Sequence, residues 1–330
     1  MARPVTIFSG QWADLPFDKF CGKIKSFGYD GAEIACWGDH LDLKKAATDS
    51  AYAQERLAIL GKHGLKTWAI GTHLPGQCVG DNWDPRLDGF APSSLAGKPE
   101  EIRKWAIEEM KYAAMAAKNL GVKVVTGFMG SPIWAYWYSF PQTTEKMIEE
   151  GFKKIVDLWT PIFDEFDKCG VKFALEVHPT EIAFDYYSAG RLLKEFNNRK
   201  TLGFNFDPSH LQWQGVSPHV FLRDFSDRIY HVHMKDAVVT LDGKAGLLGS
   251  HITFGDTRRG WNFVSLGHGN VDFDKIIREL NAMNYEGPLS VEWEDSGMDR
   301  EFGAKEACEF VKKINFSPST VAFDDALKSD

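Results

Sequence analysis

The sequence predicts an α/β fold, a closed (β/α)8 barrel in a single domain. Short β-branched or aromatic runs alternate strictly with stretches of roughly 3.6-residue apolar periodicity, eight runs and about eight helical stretches. A chain of 330 residues has room for eight such units around one core. No GxGxxG follows the first run, which weakens the rival reading, a doubly wound open sheet.

The runs read as strands are VTIFS (5–9), GAEIA (31–35), LKTWAI (65–70), VKVVTGF (122–128), VKFALEV (171–177), LGFNF (202–206), RIYHVHM (228–234) and PLSVEW (288–293). Between them, residues 99–121 form the clearest helix. Ile102, Ala106, Met110, Ala113, Ala117 and Leu120 share one side, and Gly121 marks the stop. Residues 143–170 form another, closed by Gly170 and carrying Pro161 where a kink is expected. A third starts at Asp272, placed to cap residues 273 onward. Residues 76–99 and 237–270 are long Gly/Pro/Asp-rich insertions after strands three and seven, on the rim where barrel enzymes keep their chemistry. No domain boundary is evident. The barrel is assigned to 1–315, and 316–330 is a weakly periodic C-terminal tail, loosely attached.

Composition narrows the class. The chain is 44% hydrophobic, 25% charged and 13% aromatic, an ordinary globular balance. A net charge of −8 without a Lys/Arg run argues against a nucleic-acid partner. The N-terminus lacks the pattern of a signal peptide, and no apolar stretch is long enough to span a membrane. Cys21, Cys36, Cys78, Cys169 and Cys308 are scattered with no CxxC, as in a cytoplasmic protein with reduced thiols. Homo-oligomerisation is left open.

The strand ends carry the chemistry. Glu176 and His178 in KFALEVHP are two residues apart in a strand and so share a face. Strand six ends FNFDPSH, offering Asn205, Asp207 and His210. Strand seven, IYHVHMKD, offers His231, His233, Lys235 and Asp236. Strand eight, SVEWED, offers Glu292 and Glu294. Convergence of such groups in an apolar barrel carries a prohibitive desolvation cost unless a cation compensates. The inferred ligands are Glu176, Asp207, His233 and Glu292. Three carboxylates and one imidazole suit one divalent Mn2+ or Mg2+ best, with Co2+ and Zn2+ less favoured.

LEVHP, FDPSH, HVHMKD, GHGNVDF and GPLSVEWED together resemble the motifs of the xylose isomerase-like superfamily of sugar isomerases and epimerases. That family holds ketose 3-epimerases and inosose-processing enzymes, all metal-dependent TIM barrels, and the resemblance runs from GYDGAEIA to GPLSVEWED. It implies the same quartet, with the two metal-bound glutamates, Glu176 and Glu292, moving protons. The three-residue spacing from Asp207 to His210 resembles the epimerases, whose histidine there touches substrate. The chain departs from the pattern in three places. His268 stands in GHG where an acid is expected, and the strand-seven insertion is longer than in the epimerases. Their arginine after the strand-seven motif is missing, Arg258 or Arg259 in GDTRRGW standing nearest.

The remaining candidates have two readings each. His178 is either a second base or substrate partner, or a group that orients Glu176. Lys235 and Asp236 either pair at the rim or touch substrate. Trp12, Trp37, Trp68, Trp134 and Trp137 lie near the predicted strand ends, where aromatic faces would line a carbohydrate pocket. His40 in WGDH and His73 in GTHL are candidate substrate contacts, and Glu33 in GAEIA is a buried supporting acid. The chemistry expected is proton removal next to a carbonyl, giving epimerisation or isomerisation of a small carbohydrate. The alternative is β-elimination from an inosose, a 3-keto sugar or a 3-keto glycoside by the same site. A metal-dependent endonuclease would need a basic face, and a non-catalytic sugar-binding barrel would not need the quartet.

Overall fold

In the computed structural model, which describes residues 3–321 and 324–325, every one of the eight runs supplies a barrel strand. These are β1 (Val5–Phe8), β2 (Gly31–Ala35), β3 (Ala69–Gly71), β4 (Val124–Gly127), β5 (Lys172–Glu176), β6 (Leu202–Phe206), β7 (Ile229–Met234) and β10 (Leu289–Val291). Each pairs in parallel with its neighbours, and β10 returns to β1 to close the barrel. The register across β5, β6 and β7 sets Glu176 beside Asn205 and Asn205 beside His231. The register across β7 and β10 sets His233 beside Ser290.

Eleven α-helices surround the barrel among the described residues: α1 (Phe17–Phe27), α2 (Leu43–Thr48), α3 (Ser50–Lys62), α4 (His73–Gly80), α5 (Pro99–Leu120), α6 (Glu145–Cys169), α7 (Tyr186–Glu195), α8 (Pro208–Trp213), α9 (Pro218–Asp224), α10 (Phe273–Ala282) and α11 (Arg300–Ile314). The face expected of α5 is buried throughout, and Gly121 ends the helix at φ 71°, where a side chain is disfavoured. α6 runs through Pro161 without ending, and Asp272 caps α10 by accepting from the Lys275 N–H. The surplus over eight helices comes from short ones. Asp42 and Asp49 each cap a new start, dividing one stretch into α2 and α3.

Two differences from expectation matter for the site. β3 begins at Ala69, and Lys66 makes only an isolated bridge to Gly31. Trp68 therefore sits at the N-terminal end of the barrel, lining a cleft with Arg3 and Lys25, away from the strand ends. The insertion after β7 contains an antiparallel pair, β8 (Asp236–Val239) and β9 (Trp261–Val264). The first tail residue, Phe316, packs on the core and accepts a hydrogen bond from Asn281, while the tail positions 322–323 and 326–330 lie outside the described residues. No described helix is long and apolar enough to cross a membrane.

Candidate metal centre and active site

Glu176 is the last residue of β5, and Asp207 follows the last residue of β6. His233 is the penultimate residue of β7, and Glu292 follows the last residue of β10. All four are buried, and each offers an atom within 4.8 Å of the others. Local sequence explains one placement well. Asp207 is the N-cap of α8, with Pro208 at the first helical position, and its Oδ1 accepts from the Ser209 N–H and Oγ–H at 2.8 and 2.7 Å. That holds Oδ2 toward the centre.

The imidazole supplies the fit test for a cation. His233 Nε2–H donates to Glu33 Oε2 at 2.9 Å. This leaves Nδ1 facing Glu176 Oε2 at 3.0 Å and Glu292 Oε2 at 2.9 Å. His233 Nδ1, Asp207 Oδ2 and Glu292 Oε2 are all buried without a well-formed hydrogen bond. A lone pair aimed at carboxylate oxygens is repulsive unless a proton or a metal ion lies between them. The donor set, three carboxylates and one imidazole, fits a divalent cation. Burial favours the neutral ring of His233, but the charges of Glu33 and Glu292 and the contacts with Glu176 and Glu292 outweigh it and push its pKa well above the usual range. A cation held by the quartet would therefore compete with a proton for Nδ1. Titration with Mn2+ below that raised pKa is expected to release about one proton per ion, with affinity rising as pH rises. Calorimetry in buffers of different ionisation enthalpy measures this; no proton release would contradict it.

Glu33 anchors the ring from below. Its Oε2 accepts from His231 and His233 at 2.9 Å each and from Ser290 Oγ at 2.8 Å, and its Oε1 accepts from Thr126. Burial alone would raise its pKa, yet His233 and His231 hold it well below the usual carboxylate range. Glu33, His231 and His233 also converge as a trio, but both Nε2 atoms are spent on the one carboxylate. This is the carboxylate–histidine arrangement that fixes a metal ligand's tautomer. Glu33→Gln is expected to weaken Mn2+ binding by roughly 10–100-fold, with excess Mn2+ restoring occupancy. Unchanged affinity would remove Glu33 from that role.

The two glutamates sit in different surroundings. Glu176 Oε2 accepts from Asn205 at 2.9 Å and from His73 at 3.2 Å, and Oε1 lies 3.3 Å from His210 Nε2. Burial raises its pKa, but the His210, His233 and His73 contacts carry it well below the usual range. Glu292 Oε2 lies 3.3 Å from Lys235 Nζ, and its Oε1 accepts from Gln11 at 3.1 Å. Burial opposes ionisation there too, and Lys235 overcomes it, leaving Glu292 at about 2. Lys235 also reaches Glu294 at 3.3 Å and lies 4.3 Å from the Phe263 ring centre.

The other expected residues divide. His73 and His210 stand at the centre, His210 lying 3.3 Å from Asp207 Oδ2 as well. Trp37 stands behind His73, edge-on with ring centres 6.5 Å apart. His178 makes no hydrogen bond to Glu176. It packs edge-on against His210 at 4.1 Å and at a tilt against Phe128 at 4.8 Å, with burial and His210 holding it neutral, well below the usual range. Glu176 is instead oriented by Asn205 and His73.

Several expectations are corrected. His40 spends both ring nitrogens on Ser9 Oγ and Leu15 O, inside the core against Phe17 and Phe20. Trp12 is fully buried in that core, under the Arg300 guanidinium. Arg258 is exposed and paired with its neighbour Asp256, and Arg259 lies beneath Phe254 and Trp261. Trp134 and Trp137, by contrast, do stand beyond strand ends, stacked on each other in a cleft that Ser131 and Glu181 also line. Asp236 accepts backbone N–H groups from Ala237, Gly267, Gly269 and Val271, so GHGNV wraps that carboxylate. Exposed His268 pairs with Glu306. Gln11 and Phe263 join the site without a sequence signal: one lies on the turn after β1 and the other inside an insertion.

Comparison with known proteins agrees with this architecture. Residues 21–314 match the family described as the xylose isomerase-like TIM barrel, and the chain belongs to that family. It is 26% identical over 322 residues to the uncharacterised protein YfiH of Bacillus subtilis, covering 91% of this chain and 95% of that one. It is 28% identical over 229 residues to an inosose dehydratase of Clostridium beijerinckii, covering 67% and 74%. Among solved structures, the 3-keto-D-glucoside 4-epimerase YcjR of Escherichia coli superposes with a TM-score of 0.66 at 17% identity, covering 94% and 99%. The IolI protein with a bound zinc atom superposes at 0.62 with 22% identity, covering 94% and 96%. At these identities the structural likenesses speak for the fold.

Proposed function

We propose that this member of the xylose isomerase-like TIM-barrel family is a divalent-metal-dependent enzyme, with Mn2+ the best-suited ion, that epimerises or isomerises a small carbohydrate ketone. Its first step removes the proton next to the carbonyl. The carrying observation is that two buried, ionised glutamates, Glu176 and Glu292, flank one imidazole within 3.0 and 2.9 Å. A divalent cation held by the quartet would supply Lewis-acid polarisation of the carbonyl. Glu176 or Glu292 takes the proton, and the other returns it on the opposite face for epimerisation. Return at the neighbouring carbon gives isomerisation. His73, His210 and Asn205 hold Glu176 in place, and Lys235 puts a fixed positive charge where the substrate becomes negative.

Lys235 also favours a second reading. It pairs with Glu292 at 3.3 Å, whereas the partners of Glu176 are His73, His210, His233 and Asn205, so the two carboxylates are not equivalent. One base suffices for β-elimination. Glu176 takes the α-proton, the C–H electrons form the C=C bond, and the β C–O bond breaks as the proton held by Glu176 passes to the departing oxygen, which leaves as water or an alcohol. The inosose dehydratase relatives fit that outcome. Product NMR on free ketoses, inososes and 3-keto glycosides, with a chelator control, separates the two. An epimer or isomer supports the first reading and an unsaturated ketone the second. Absence of either, with metal bound, would refute both.

Both glutamates are ionised well below neutrality, so acid is expected to inactivate the enzyme through metal loss at His233 and not through protonation of a base. Raising the Mn2+ concentration should therefore move the acid limb of the rate profile to lower pH. An acid limb indifferent to Mn2+ would contradict the assignment.

A further inference from the structure

The insertion after β7 is built onto the helix that carries part of the centre. Trp261 of β9 stacks face to face on Trp213, at the end of α8, with centroids 4.3 Å apart and planes 2° apart. Asp207 caps that same helix, and His210 lies in it. Two residues beyond Trp261, Phe263 lies against Lys235 and meets His210 edge-on at 5.3 Å. Phe263 thus covers two groups that touch the quartet. Phe254 continues outward, stacked on Phe263 at 5.4 Å and 19°, and it is 54% exposed.

Neighbouring groups hold the Phe254 ring in this exposed position. The Arg259 guanidinium lies 4.2 Å from the Phe254 ring centre and donates to the Trp261 and Ile252 carbonyls. Asn262 clasps the adjoining turn, accepting from the Gly255 N–H at 2.7 Å and donating to Asp256 O at 3.2 Å. Gly255, at φ +85°, abuts Ser296 beyond β10, where a Cβ would come within 2.0 Å of Oγ. The turn therefore bridges from the β7 side of the mouth to the β10 side.

We propose that Phe254 and Phe263 form an aromatic subsite leading out of the metal centre, which takes the second ring of a ketone-bearing glycoside. This rests on the proton-abstraction reading and names its substrate class. The reacting ketone must reach the quartet, beneath Lys235 and His210. Phe254 stands one ring further out, where the part of its ring left open by Phe263 and Arg259 can meet the apolar face of an attached sugar or aryl group. A preorganised platform loses little entropy on binding.

The test compares one-ring and two-ring ketones: 3-keto-D-glucose and an inosose against the 3-keto derivatives of trehalose and of 4-nitrophenyl glucoside. The readout is kcat/KM for exchange of the α-proton, followed by NMR in D2O. The native protein should favour the two-ring ketones by about tenfold or more, the scale of one aromatic stacking contact. Phe254→Ala should lower that preference by about tenfold, chiefly through KM, and Phe254→Trp should keep it. A native preference near one, or an unchanged ratio in Phe254→Ala, would overturn the subsite alone. If no ketone of either class exchanges its proton or yields an unsaturated ketone, the proton-abstraction reading falls and the subsite falls with it.

Discussion

Glu176→Gln and Glu292→Gln are each expected to lower turnover by at least ~100-fold, the usual scale for a removed general acid or base. Glutamine keeps the shape and can still accept one hydrogen bond, but it cannot take up a proton. Both carboxylates are also placed to bind metal, so loss of activity alone would not separate the two roles. Asp207→Asn provides the contrast. Asp207 shares the quartet, and its other oxygen is tied up by Ser209. It has no assigned part in proton transfer. With saturating Mn2+, Asp207→Asn should regain much of its activity, while the two glutamine variants should stay low. Rescue of Glu176→Gln by metal would make Glu176 a ligand only. His178→Ala is the milder companion. Because His178 packs on His210 and does not hydrogen-bond Glu176, its loss should impair turnover without changing metal affinity.

Chelation is expected to abolish activity, and protein purified without chelator should carry about one divalent ion per chain. The physical reason is charge: four buried ligating groups, three of them carboxylates, share one small volume. Stripped of metal, the centre depends on the second proton of His233 to separate the oxygens. Metal at 100 times its Kd adds about 2.7 kcal/mol to stability. For a chain of this length that corresponds to a melting temperature raised by roughly 4 °C. Elemental analysis and calorimetry read both without any substrate. Less than about a tenth of an equivalent bound, with no thermal shift on adding Mn2+, would remove the quartet as a metal centre.

The barrel and the quartet were legible because each rests on local pattern. Strand runs end where Glu176, Asp207, His233 and Glu292 stand, and parallel pairing then brings those ends to one level. What was not legible depends on contacts far apart in sequence or on small shifts in register. Glu33 could be read as a buried acid, but its partners His231 and His233 are 198 and 200 residues away. Trp68 was placed at the wrong end of the barrel because β3 starts at Ala69, later than the run LKTWAI suggests. His40 follows a strand, but the chain turns at Gly38, φ 65°, and carries the ring into the core. The hairpin of β8 and β9 consists of two four-residue strands joined by a long polar loop, too short for their alternation to stand out.

Solvent deuterium tests the central claim most directly. With metal and a turned-over ketone in D2O, deuterium should enter product at the carbon next to the carbonyl under epimerisation or isomerisation. Under elimination, substrate deuterated at that carbon should react more slowly and give an unsaturated ketone. Either result places a base at the α-proton, and its loss in Glu176→Gln or Glu292→Gln identifies that base as the carboxylate. Full retention of an α-deuterium label in an isomerised product, with two metal ions bound per chain, would instead indicate a hydride shift and contradict the role given to Glu176 and Glu292.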